Sequence, residues 1–206
     1  MVHGSLSEER RDEVARAAAR LLRDGRAEDI AGAIRAALRG QAGADEVTVA
    51  RVREHARGLA MEALGATGYR QHVAEVLERA EETMTLLATQ LATRVGDAPV
   101  ALVGRAARAQ VDADPCCRIR VQSAEPIGTI AEVLVSAGVE EPTFSTVETL
   151  WGRLDQLRFD DEGIETRITR LPPAMKIAMN ADLRHEGTVP CLDVQAIRRL
   201  MSMMRQ

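Results

Sequence analysis

Pro115-Cys116-Cys117-Arg118-Ile119-Arg120-Val121-Gln122 is the stretch that decides how the chain is read. Side chains two apart on a strand share a face. Cys117, Ile119 and Val121 therefore make one apolar face, and Cys116, Arg118, Arg120 and Gln122 the other. Upstream, the apolar run Pro99–Gly104 reads as a short strand ended by glycine. Downstream, Ile130, Val133 and Leu134 have helical spacing within Ile127–Ala137, a helix that stops at Gly138. Three β-like runs follow, Thr143–Leu150, Arg153–Phe159 and Ile164–Leu171. Asp160-Asp161-Glu162-Gly163 between the last two is a hairpin turn, with glycine where φ is positive. Pro172-Pro173 ends the sheet, a polar loop follows, and a helix from about Leu192 to Met204 closes the pattern.

The residues before 96 have a different period. Ser5 and Glu8 have capping-box spacing ahead of Val14, Ala17, Ala18, Leu21 and Leu22. Ile30, Ile34, Ala37 and Leu38 make a second helix that stops at Gly40. Asp45 caps a third, with Val49, Val52, Ala56, Leu59 and Ala60 inward. A fourth follows Gly68 and carries Tyr69, Val73, Leu77, Ala80, Met84, Leu87 and Leu91. Each is amphipathic and needs a partner, so together they make a helical layer or small bundle. The expected class is α+β: an α-helical region over residues 1–95, then a mixed sheet with helices on one face over 96–206.

Composition narrows the function. The 206 residues carry a net charge of −4 and only 2% aromatics, so the core is built from Leu, Val, Ile, Met and Ala. Base stacking needs several rings on one face, which argues against nucleic acid. No apolar run approaches the ~20 residues of a membrane span, and no targeting segment is visible, so a cytoplasmic location and no membrane partner are expected. Cys116, Cys117 and Cys191 do not make a disulfide framework, and the four histidines have no zinc spacing. Of 27 basic residues only Lys176 is a lysine. Codon usage explains most of that bias, although Arg forks also match phosphate and carboxylate.

The order of elements resembles the polymerase-β-like nucleotidyltransferase superfamily. The resemblance is carried by Leu102-Val103-Gly104-Arg105-Ala106-Ala107-Arg108-Ala109 and by Pro115–Val121. In that superfamily a strand ends in Gly-Ser, a loop follows, and the next strand bears two carboxylates two residues apart. The whole chain also resembles a bacterial group with a helical N-terminal half and a nucleotidyltransferase-like C-terminal half, some members of which carry the label UDP-N-acetylmuramate–alanine ligase. "DGRAEDI" (residues 24–30) and "LVG" (102–104) are shared features.

The resemblance implies a two-Mg²⁺ site built from three carboxylates, and the residues depart from it. The first carboxylate position falls on Cys116 and the second on Arg118; only the third keeps an acid, Glu165. Mg²⁺ takes hard oxygen ligands, so a thiol and a guanidinium do not suit it. No catalytic residue, metal or cofactor is therefore expected, and the chain reads as a non-catalytic binding or regulatory protein. Alternation places Glu165, Arg167 and Thr169 on the same face as Arg118, which leads to the expectation that Arg118 pairs with Glu165. Gly104, Arg105, Arg118, Arg120 and Arg167 are the candidates for holding a small anion or nucleotide phosphate.

Two alternatives stand beside this reading. Asp112 and Asp114 have carboxylate spacing and could form a displaced Mg²⁺ site with Glu165, making an active nucleotidyltransferase. Their ordinary role is as turn residues. The other alternative is a structural protein that binds a protein partner or its own copy through the helical half or the Met-rich stretch Arg198–Met204. A reactive thiol at Cys116-Cys117 is the weakest reading, since no His–Asp arrangement lies near it.

Overall fold

The computed structural model describes residues 6–24, 26–27, 30–40, 42–111 and 115–205. It is α+β: helices first, then a mixed six-stranded sheet with helices. Two compact units divide between Tyr69 and Arg70. The change of sequence period near residue 95 marks where helix gives way to strand; the division at 69/70 marks where contacts thin out.

The first unit holds α1 (Glu8–Arg23), α2 (Ile30–Leu38) and the start of α3 (Val49–Val95). Ser7 caps α1 by accepting from the Arg10 amide at 3.2 Å. The expected capping box at Ser5 lies outside the described residues. Small side chains dominate the buried cluster, with Ala15, Ala18, Ala19 and Ala33 beside Val14, Ile34, Leu38, Val47 and Val52. Alanine at these positions lets helix backbones approach closely without losing helix propensity. His55 and Asp12 are 2.8 Å apart across this unit. The break between the third and fourth sequence helices falls at Gly65 (φ 69°, ψ 169°), not at Gly68. Only glycine adopts that conformation at little cost.

The second unit is built on β1 (Val100–Val103), β2 (Cys116–Gln122), β3 (Thr143–Thr149), β4 (Gly152–Asp161), β5 (Ile164–Leu171) and β6 (Cys191–Leu192). Their order is β3-β4-β5-β2-β1-β6. The β2–β5 pair is parallel and all others are antiparallel. The turn between β4 and β5 is tight because Glu162 (φ 52°) and Gly163 (φ 84°) are both left-handed, and Asp160 Oδ1 accepts from the Gly163 amide at 2.8 Å. Two consecutive left-handed residues match the twist of a two-residue hairpin.

The alternation along β2 is realised. Cys117, Ile119 and Val121 are fully buried, as are Leu157 on β4 and Ile168 on β5. This face meets helices: the Cys117 thiol donates to the Val76 carbonyl of α3 at 3.5 Å, and α4 (Ile127–Ser136) lies against β4. The closing helix, α5 (Val194–Met204), begins two residues later than expected, capped by Asp193, because Cys191–Leu192 pairs with β1 as an edge strand. Arg198 of α5 bonds Glu81 of α3 at 2.5 and 2.8 Å.

The segment 172–190 departs most from the expectation of a polar loop. Its Ile177 and Leu183 are buried with Leu154 and Leu171, and Val147, Met179 and Ala181 pack around them. It is a strap over the second face of the sheet, fastened by Leu150 N to Leu183 O (2.9 Å) and folded on itself by the Ala181–Thr188 bridge. Among the described residues no helix is long and apolar enough to cross a membrane.

Candidate functional site

The strap covers only one end of that face. Strand register places Arg120 opposite Ala101 and Thr169, at the covered end. Arg118 lies opposite Val103 and Arg167, and Cys116 opposite Glu165, at the other end. β1 finishes there and β2 and β5 begin there, so Gly104 and Arg105 follow Val103 into the same region. Gly104 (φ 83°) makes the turn, and its amide donates to the Pro190 carbonyl at 2.9 Å. Arg105 starts the 3₁₀ turn Ala106–Arg108. The fold thus brings Cys116, Arg118, Glu165 and Arg167 together, with Gly104 and Arg105 following β1 at the same end of the sheet. Asp112 and Asp114 lie outside the described residues.

Arg120 is not in this group. It is 5% exposed and donates to the Met179 carbonyl at 2.8 Å and the Ala181 carbonyl at 2.5 Å. Burial lowers its pKa, with Cys191 and Asp182 opposing. Sequence alone could not separate it from Arg118, because both share a face and a residue type; what separates them is the strap.

Glu165 does not pair with Arg118. Arg167, two residues along the same strand, donates to it from Nε (2.7 Å) and a terminal nitrogen (3.1 Å). Arg158 on β4 reaches the same carboxylate at 2.5 Å. Parallel pairing sets Cys116, not Arg118, opposite Glu165, so nearer guanidinia take the acid. Sequence reasoning missed Arg158; the signal was its place on the strand next to Glu165. Burial raises the Glu165 carboxyl, but the hydrogen bond and charge of Arg167, with Arg158 and Arg118, outweigh it and hold the group below its ordinary value.

Arg118 is therefore left exposed, and among the described residues no carboxylate lies within ion-pair distance of it. Its neighbour is the Cys116 thiol. Burial pushes that thiol up despite Arg118 and Arg167, and pushes Cys117 up to about 12. Both stay protonated at neutral pH, which corrects the reading of a reactive thiolate. All three cysteines are free.

Among the described residues no group of three His, Cys, Asp or Glu side chains could hold a metal ion. A thiol, a guanidinium and one carboxylate already engaged by two arginines do not fit a pair of Mg²⁺ ions. A depression of about 1000 Å³ runs beside the site from Glu165 and Arg158 past Thr143 to Val135. Glu140, Glu141, Asp160 and Glu165 line it against the single Arg158, so its charge disfavours an anion.

No protein-family profile matches the chain, and no curated protein matches it. One solved structure it is similar to is described as that of a GLD-2/RNP-8 complex, at 13% identity and a TM-score of 0.38. The match covers 53% of this chain, which spans 44% of that one.

Proposed function

We propose that the chain is a non-catalytic, nucleotidyltransferase-like binding or regulatory protein that takes a phosphate-bearing anion, such as a nucleotide, at the open end of its sheet. One observation carries this reading: among the described residues Arg118 is exposed with no carboxylate within ion-pair distance, while Glu165 is held by Arg158 and Arg167. An arginine fork facing solvent suits phosphate oxygens. Arg167 and Arg105 add positive charge at the same end of the sheet. The loss of metal ligands at Cys116 and Arg118 means that binding does not depend on Mg²⁺.

Calorimetric titration with ATP, and separately with pyrophosphate, tests this in the presence of a chelator. Binding is expected without Mg²⁺. Arg118→Glu removes a charge-assisted bond and adds repulsion, so affinity falls by roughly tenfold or more. Wild-type affinity that survives the charge reversal unchanged rejects the site. A melting temperature raised only when Mg²⁺ accompanies the nucleotide, with the gain lost in Asp114→Ala, supports the displaced metal site instead.

A further inference from the structure

The sheet has two edges of unlike character. β6 is two residues long and leads directly into α5. At the other edge stands β3, seven residues paired to β4 without interruption from Thr143–Arg158 to Thr149–Gly152. Among the described residues no strand pairs with its outer side. Folded chains blunt such edges with Pro, Lys, bulges or short strands. Thr-Phe-Ser-Thr-Val-Glu-Thr has none of these, and it is rich in β-branched residues. Large apolar side chains are exposed along the same edge: Phe144 (60%) within the strand, Leu150 (56%) and Trp151 at the hairpin tip, and Val135 on α4. Residues 143–146 are exposed on both faces of the strand.

We infer that β3 is a self-pairing edge, and that a second copy of this chain adds its own β3 antiparallel to make one continuous sheet. The charge pattern of the strand suits this occupant. The strand bears a single carboxylate, Glu148, which Arg153 already meets at 2.6 Å. A strongly basic or acidic strand would therefore find little to pair with. A two-fold axis through Thr146 sets Thr143 against Thr149, Phe144 against Glu148, Ser145 against Val147, and Thr146 against itself. No like charges oppose each other at any of these positions. Strand addition supplies backbone hydrogen bonds to both copies, and the ring of Phe144 leaves water. The inference does not rest on the anion site, which lies on other strands.

The full chain is examined by sedimentation equilibrium and light scattering across a concentration series. Twice the chain mass is expected at the upper concentrations. Phe144→Glu sets a carboxylate against Glu148 of the second copy at two symmetric places, while in the single chain position 144 is exposed, so the fold is kept. It should weaken the dimer by roughly tenfold or more. Thr146→Cys places two thiols at the axis and should give a cross-linked dimer under mild oxidation, with wild type treated alike as the control. A chain monomeric throughout overturns the inference. So does a dimer that Phe144→Glu leaves intact and Thr146→Cys does not cross-link, since it then uses another surface.

Discussion

Arg118 and Arg120 stand two residues apart on one face of one strand, and they do opposite things. Arg120 is sealed under the strap and spends two donors on the Met179 and Ala181 carbonyls. Arg118 is exposed beside a thiol. A guanidinium in a covered place becomes a fastener, because a buried charge is retained only where acceptors meet it. In an open place the same group stays free to meet an anion.

The sharpest way to break this contrast is to remove each arginine in turn. Arg120→Ala leaves two strap carbonyls without their donor, and unsatisfied buried polar groups cost about 1–3 kcal/mol each. We expect about 3 kcal/mol of destabilisation in urea unfolding. Arg118→Ala should change stability by less than about 0.5 kcal/mol, as exposed substitutions usually do. Equal losses would mean that the two ends are not distinct. Next in size, Ile177→Ala opens a cavity in the small cluster with Leu154, Leu171 and Leu183. A loss of about 2 kcal/mol is expected, at the low end for a core truncation. Amide exchange in 172–190 should rise with it, while amides in the first unit stay protected.

These variants also mark where sequence reading succeeds and where it stops. The faces of β2 and β5, the turn at Gly163 and the end of α4 at Gly138 were legible because period and glycine placement are local signals. The strap was not. Ile177, Met179, Ala181 and Leu183 do stand two apart, but Pro172-Pro173 before them and Asn180 and Asp182 between them read as loop, and their burial depends on a surface supplied by Leu154 and Leu171. The pairing of Glu165 with Arg158 and Arg167 was hidden for a related reason. The Arg158 contact depends on register between strands, which a single strand does not encode, and the Arg167 contact is a choice among guanidinia on one face that alternation does not make. β6 escaped notice because two residues carry no period at all. Gly68 stays helical while Gly65 breaks the helix three residues earlier, since a glycine permits a break without requiring one.

The smallest expected effect tests whether the open end works as a unit. Glu165 is held below its ordinary carboxyl value, so its ion pairs stabilise the fold above the usual carboxylate range. That contribution is lost as pH falls through the lowered folded value. These pairs are partly solvated, so their worth is below about 1 kcal/mol. Protonating Glu165 also releases Arg158 and Arg167. Sulfate, which keeps its charge through this range, should then bind more tightly at acid pH than at neutral pH. Glu165→Gln should bind sulfate more tightly than wild type already at neutral pH, and its affinity should no longer rise as the solution is acidified. If the Gln variant binds no tighter at neutral pH while Arg118→Glu still abolishes binding, Arg118 acts alone and Arg167 is part of the scaffold. If both substitutions move affinity in opposite directions, the carboxylate is an internal competitor for the anion.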